Sequence, residues 1–500
     1  MNLIKFILIP FLLFQHADGL AQKLLTHPNV VFIFVDDLRP ELGCYGNLLI
    51  KSPHLDKLAS ESLVFLNHFV QVPTCGASRF SMLTGMLPRT KTHLSNEAIR
   101  TFISGEPEGE RPETFIHHLR RNGYYTVGIG KVSHYADGLL YDYTGDPTGA
   151  KRELPYSWDE LLFNSGKWGT GWNAFFGYAD GSNRQSMDRK VKPYENASVA
   201  DEDYPDGLTA NLAIDKLKEL AGNKTPFFMG VGFFKPHLPF NAPKKYWDMY
   251  DESALPITPS PDIPDNVNPA SLHNSGEFNS YLSGEEKPSL SQPVSDPYAR
   301  KLTHAYYASV SYVDEQIGKV LEALTSLGIS ENTIVVVWGD HGWHLGDHRV
   351  WGKHTIFEKA LKSPLIIKVP GMKQKGYSSK NIVSAIDIYP SLMELCGVRM
   401  PHKTDGASFV RLFKNPNKKR WRNNAYSYYN NGITMRTKKF RITRYFRENE
   451  PSIELYDHKK DVDENFNIAQ DRPKIIKRLT PQLEKGNAGI YKSANQPEKE

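Results

Sequence analysis

The sequence predicts an α/β chain, with a large doubly wound, mostly parallel sheet flanked by helices and then a smaller C-terminal antiparallel sheet with a helix. Three observations predict it. The stretches Asn29–Val35, Pro226–Phe234 and Thr333–Trp338 are near-continuous β-branched and aromatic runs, the pattern of strands covered on both faces. Helical patterns lie between them, above all Gly207–Leu220 and Ala299–Leu327. After about residue 415 the texture changes to short alternating strands.

The elements follow in order. Asn29–Val35 ends in Asp36-Asp37, two acids at the carboxyl end of a buried strand, where open α/β sheets bind ligands. Leu55–Phe65 has apolar residues at helical spacing. Cys75 and Arg79 then stand one turn apart if the segment after Cys75 is helical, at a helix N-terminus that favours an anion. Glu113–Asn122 predicts a helix, and Tyr124–Ile129 a strand running into Lys131 and His134. Residues 136–205 show little periodicity. Strand Pro226–Phe234 leads to His237. Residues 251–297 carry eight prolines and predict a loop or lid. Helix Ala299–Leu327 places Tyr306, Val310, Val313, Ile317, Val320 and Leu324 on one face. Thr333–Trp338 leads to Asp340-His341, with Lys353 beyond. A strand over Pro364–Val369 and a helix over Asp387–Cys396 complete the large unit. Strands Ile433–Thr437, Lys439–Tyr445 and Ile453–Tyr456 and a helix over Lys474–Lys485 make the small one.

Length and charge bound the function. A chain of 500 residues suits one large and one smaller unit, with divisions expected at 1–21, 22–415 and 416–500. With 61 basic and 56 acidic residues, the total charge names no partner and disfavours nucleic acid. Residues 406–447 hold twelve Lys or Arg and no acid, a solvated face or an attraction for a polyanion. The N-terminus has a short basic start, an apolar run over Phe6–Phe14 too short to span a bilayer, and small residues at Gly19-Leu20-Ala21. Residues 1–21 are therefore expected to be a signal peptide, and the protein to be exported to a bacterial periplasm or secreted, with no membrane span. Three cysteines make no disulfide scaffold; pairing of Cys44 with Cys396 is left open.

Any one of these residues has a dull explanation, since a lone cysteine is commonly a small buried hydrophobe and a lone lysine a surface group. Together they supply acids for a cation, a nucleophile, cationic side chains for an anion and imidazoles for proton transfer. That inventory suits hydrolysis of a sulfate or phosphate ester.

The motifs carry a resemblance. Cys75-Gly76-Ala77-Ser78-Arg79 matches the C-x-[P/A]-x-R element of type I sulfatases of the alkaline phosphatase superfamily, with Ala77 where Pro is usual. Val35–Pro40, Gly130–His134, Lys235–Phe240, Tyr307–Asp314 and Trp338–His348 resemble iduronate-2-sulfatases most. The resemblance covers nearly the whole chain after residue 21. It implies that Cys75 is oxidised to Cα-formylglycine by a formylglycine-generating enzyme, and that one hydroxyl of the aldehyde hydrate attacks sulfur while the other expels sulfate. It further implies one Ca²⁺ held by Asp36, Asp37, Asp340, His341 and the Cys75 position. Arg79 and Lys131 would stabilise hydrate and sulfate, His134 would take the proton that triggers sulfate release, and Lys353 and His237 would bind sulfate, with His237 protonating the leaving hydroxyl. His341 is a nitrogen ligand, and Ca²⁺ prefers oxygen. The expected substrate is a sulfated polysaccharide or its oligosaccharides, of algal ulvan or carrageenan type or a glycosaminoglycan. Two rivals stand beside this reading: a phosphomonoester or phosphonate-ester hydrolase, and a non-catalytic binder of sulfated glycan that keeps Cys75 as a thiol.

Overall fold

A computed structural model of the chain describes residues 27–102, 113–447 and 452–491, so the expected signal peptide lies outside the described residues. Eight strands form the main sheet: β1 (Asn29–Val35), β2 (Leu63–Phe69), β3 (Tyr125–Gly130), β4 (Glu160–Leu162), β5 (Phe227–Phe233), β6 (Thr333–Gly339), β7 (Leu365–Lys368) and β8 (Tyr377–Ser384). Their spatial order is β8-β2-β7-β6-β1-β5-β3-β4, and only β7 runs against its neighbours.

The continuous apolar runs follow from having both faces covered. All seven residues of β1 are buried. Val31, Ile33 and Val35 pack in one layer with Tyr306, Val310, Val313 and Ile317 of helix α5. Val30, Phe32 and Phe34 point the other way, into a layer with Phe80, Phe115 and Leu392. The longer helices of the described residues are α1 (Pro53–Ser60), α2 (Cys75–Thr84), α3 (Phe115–Arg121), α4 (Pro205–Ala221), α5 (Asp296–Ser326), α6 (Ile388–Cys396) and α7 (Pro473–Glu484). Ser295 caps α5 by accepting from the Tyr298 N–H.

One expected helix is corrected. Leu55–Phe65 is not a single helix: α1 ends at Ser60 and Leu63 opens strand β2. Leu55, Leu58 and Ala59 are the buried helical face, whereas Leu63, Val64 and Phe65 are buried consecutively, as a central strand requires. The polar edge strand Tyr377–Ser384 carries no apolar run and was not expected. Cys44 and Cys396 are both free.

Strands Asn424–Tyr429, Gly432–Thr437, Phe440–Tyr445 and Ile453–Asp457 (β9 to β12) form an antiparallel meander covered by α7. A buried ion network joins it to the main unit. Arg441 bonds Glu464 at 2.5 Å and also Glu358, and Arg436 bonds the same Glu358 at 2.9 Å. His458 completes the cluster, 2.8 Å from Glu464. Removing one member leaves uncompensated buried charge. Arg441→Ala is expected to lower unfolding free energy by about 3–5 kcal/mol in urea titration; a loss below about 1 kcal/mol would mean that apolar packing alone docks the meander.

Candidate active site

Because β1, β2, β3, β5 and β6 are parallel, the residues after them meet at one sheet edge. Asp36-Asp37 follow β1, Lys131 and His134 follow β3, His237 follows β5, and Asp340-His341 follow β6. Helix α2 begins at Cys75, six residues after β2, and brings Arg79 beneath it one turn later. Gly76 is required there, since a Cβ would lie 2.4 Å from the Asn96 carbonyl oxygen. The Ser78 hydroxyl donates to the Asp340 carbonyl and pins α2 to the end of β6.

All ten expected site residues are buried in one cluster. Arg79 spans two carboxylates, with Nη2 2.9 Å from Asp36 and 3.0 Å from Asp340, and its Nη1 donates to the Lys131, Val132 and Ser133 carbonyls. Lys131 Nζ lies 2.5 Å from Asp36. Lys353 Nζ lies 2.9 Å from Asp37 Oδ1 and 3.5 Å from Cys75 Sγ. Cys75 Sγ is also 3.3 Å from His341 Nε2. Asp37 holds a left-handed backbone, φ 59°, which is uncommon outside glycine. The Tyr306 hydroxyl of α5 donates to the Asp37 carbonyl at 2.7 Å and accepts from the Arg39 N–H at 2.9 Å, which holds that turn.

The electrostatics separate the two adjacent acids. Burial would raise Asp36, but Lys131 and Arg79 hold it well below the ordinary carboxylate range. Burial wins at Asp37, which is pushed well above that range although Lys353 and His341 oppose it. A further positive charge beside Asp37 would hold it ionised. His341 Nδ1 donates to the Gly342 carbonyl at 3.0 Å, which leaves Nε2 3.2 Å from Asp37. Three carboxylates and an imidazole nitrogen gathered beside Cys75 fit a divalent cation, the oxygens suiting a hard ion. Atoms of Asp36, Asp37, Cys75 and His237 lie within 4.8 Å of one another, as do those of Cys75, Asp340 and His341. A further group with this property, Glu358, His458 and Glu464, already carries Arg436 and Arg441.

Cys75 is not a ready thiolate. Burial, with Asp36 adding to it, pushes its thiol up to about 12, so the sulfur stays protonated near neutrality despite the helix N-terminus. His134 is held well below the usual imidazole value by burial and by Lys131, and its Nδ1 has no hydrogen-bond partner among the described residues. Burial and Lys353 push His237 down to about 4, while Glu277 works the other way.

A sulfatase family model matches residues 28–398, and a model for the C-terminal part of N-sulphoglucosamine sulphohydrolase matches residues 346–488. The chain belongs to the sulfatase family. It is a sulfuric ester hydrolase. Iduronate 2-sulfatase of Mus musculus is 31% identical over 418 residues, 76% of this chain and 71% of its own. The structure of BT4656 in complex with D-glucosamine-2-N,6-O-disulfate superposes with TM-score 0.70 at 22% identity, covering 93% of this chain and 98% of its own. A phosphonate monoester hydrolase from Silicibacter pomeroyi shares the fold, with TM-score 0.72 at 22% identity and 92% and 95% coverage.

Around the cluster this sulfatase also places residues that the sequence did not single out. Glu277, from the short helix Gly276–Asn279 in the proline-rich stretch, sits 3.1 Å from His237 Nε2 and 3.4 Å from Lys353 Nζ. Those two groups hold its carboxyl well below the ordinary range in spite of burial. Phe175, from residues 136–205, packs its ring 4.6 Å from His237 and 4.3 Å from Lys131 Nζ. Asp206 accepts from the Phe234 and Lys235 N–H groups at 2.8 Å each and fixes the turn that carries His237. No helix of the described residues is long and apolar enough to cross a membrane.

Glu153 supports the His134 loop, accepting from the Tyr135 N–H at 2.9 Å and from the Ser133 hydroxyl. Burial raises it from 4.5 to about 7. An acid raised on folding contributes stability that is full below its unfolded value and is lost as pH rises through the folded one. Stability is thus expected to fall from about pH 5 to pH 8 by an amount of order 3 kcal/mol from this group. Thermal unfolding across that range checks it: Glu153→Gln should flatten the slope, and an unchanged slope would rule Glu153 out as its source.

Proposed function

We propose that this sulfatase removes O-sulfate from a sugar residue of a sulfated polysaccharide or its oligosaccharides, using one Ca²⁺ and a formylglycine made from Cys75. The observation that carries this reading is the position of the Cys75 sulfur. It stands 3.3 Å from His341 Nε2 and 3.5 Å from Lys353 Nζ, between the carboxylates and the cations, yet burial keeps it protonated. A thiol in that state is a poor nucleophile.

Oxidation of Cys75 by a formylglycine-generating enzyme replaces the thiol with an aldehyde, whose hydrate supplies a hydroxyl at the same point. Asp36, Asp37, Asp340 and His341 would hold the cation with that oxygen, and it would supply the charge that stabilises an oxyanion there. Arg79 and Lys131 keep Asp36 ionised, Arg79 also orients Asp340, and the two extend positive potential toward the sulfate. His134, neutral and with a bare buried Nδ1, accepts a proton. Lys353 and His237 bind the ester, displacing Glu277. An anion beside His237 raises its proton affinity, which suits it to protonate the leaving hydroxyl. The expected export rests on the N-terminal sequence.

The rival with an observation behind it is phosphonate- or phosphomonoester hydrolysis, since a phosphonate monoester hydrolase shares the fold. Aryl sulfate and aryl phosphate turnover by the matured enzyme separates the two: sulfate is expected to be faster, and faster phosphate turnover would overturn the reading. Peptide mass spectrometry is expected to find the CH2SH of Cys75 replaced by CHO. An unmodified thiol in protein from the native host would favour a non-catalytic binder. Cys75→Ala is expected to lose at least about 10³-fold in kcat, and His134→Ala about 10²–10⁴-fold. Chelation should abolish turnover and Ca²⁺ should restore it.

A further inference from the structure

Arg184 stands out beside the site. It is only 8% exposed, yet among the described residues it makes no ion pair. Its guanidinium carbon lies 3.6 Å from the centre of the Phe176 ring and 5.3 Å from that of Tyr281. Its polar contacts are neutral: Gln185 Oε1 at 3.3 Å, Ser280 Oγ at 3.5 Å, and the Tyr281 hydroxyl. A guanidinium has five donors, and burying its charge without an anion is costly.

Arg184 belongs to the mouth of the active site. The Phe176 ring that it covers is 6.5 Å from the His237 ring and 5.7 Å from that of Tyr143. Tyr143 is exposed, and its hydroxyl feels the charges of Lys131, Glu277 and Arg184 together. Ser280 follows the helix that carries Glu277, and its hydroxyl donates to the Glu277 carbonyl at 2.6 Å. The acid on that helix, Glu277, is committed to Lys353 and His237.

We infer that Arg184 is a specificity-determining residue that receives a second anionic group of the substrate, carried on the sugar near the ester that is cleaved. This rests on the carbohydrate sulfatase reading and narrows it to sugars that bear a carboxylate or a second sulfate. A guanidinium fork pairs bidentately with either group. Phe176 and Tyr281 hold the guanidinium between them, and Trp172 and Tyr143 pack against the Phe176 ring.

The test uses matched glycosides. One pair is a sulfated methyl hexuronide and its carboxyl-reduced counterpart; the other is a disulfated methyl hexoside and its monosulfate. Each is taken through the ring positions that can carry the ester, and released sulfate gives kcat/KM. The wild type is expected to prefer the doubly anionic member of at least one pair by tenfold or more, and the pair that responds tells carboxylate from sulfate. Arg184→Gln should collapse that preference to within threefold, and Arg184→Lys should restore part of it. Equal loss on both members of a pair, or a wild-type preference below threefold in both pairs, would overturn the inference while leaving the sulfatase reading intact. If Arg184→Gln does not fold, the wild-type preference and Arg184→Lys decide. Failure to release sulfate from any glycoside would reject the carbohydrate reading, and this inference with it.

Discussion

The buried charge balance at the carboxyl edge of the sheet is the constraint on which the site depends. Asp36, Asp37 and Asp340 are fully buried and face Arg79, Lys131 and Lys353. Taking such groups out of water is tolerable only when each is paired and hydrogen-bonded. Arg79 does most of this, since it closes on Asp36 and Asp340 and on three carbonyls of the loop after β3. It thereby ties α2, β1, β3 and β6 together, and Cys75 is held one turn above it. The pairing is uneven, though: Asp36 is held low and Asp37 high, the second because burial outweighs Lys353 and His341.

Much of this was legible in the sequence because parallel topology converts chain order into place. A buried strand reads as an apolar run, and the residue after it must lie on the ligand edge. That is why Asp36, Lys131, His237 and Asp340, scattered over 300 residues, could be assigned to one site. Helix α2 could be read for a similar reason, since a spacing of four residues puts Cys75 and Arg79 on one face. Reading failed where two short patterns abut. Leu55–Ala59 and Leu63–Phe65 together imitate one helical period, and only the intervening turn separates them. The polar strand Tyr377–Ser384 is specified by its pairing with β2, which no local pattern records.

Glu277 and Arg184 were illegible for a different reason. They come from residues 251–297 and 136–205, where no period links a residue's number to its position. Glu277 reaches the site through a single turn of helix, and Arg184 through a stack on Phe176. The catalytic edge is thus built from regular elements and can be read. The surface around it, with Glu277 and Arg184, is built from loops and cannot. Loop segments on a rigid scaffold are where specificity can vary without disturbing the paired charges beneath.

The same division explains why the cysteine need not act as a thiol. Near neutrality a thiolate at this position would be a further buried anion, and burial, with Asp36 adding to it, keeps the proton on sulfur up to about pH 12. Lys131 and Lys353 favour the thiolate but do not overcome burial, since each is also paired with a carboxylate. A divalent ion would add positive charge, but an oxygen suits a hard cation better than sulfur does. The proposed conversion of Cys75 would put an oxygen there in place of the encoded sulfur, without moving any of the charges that hold the fold.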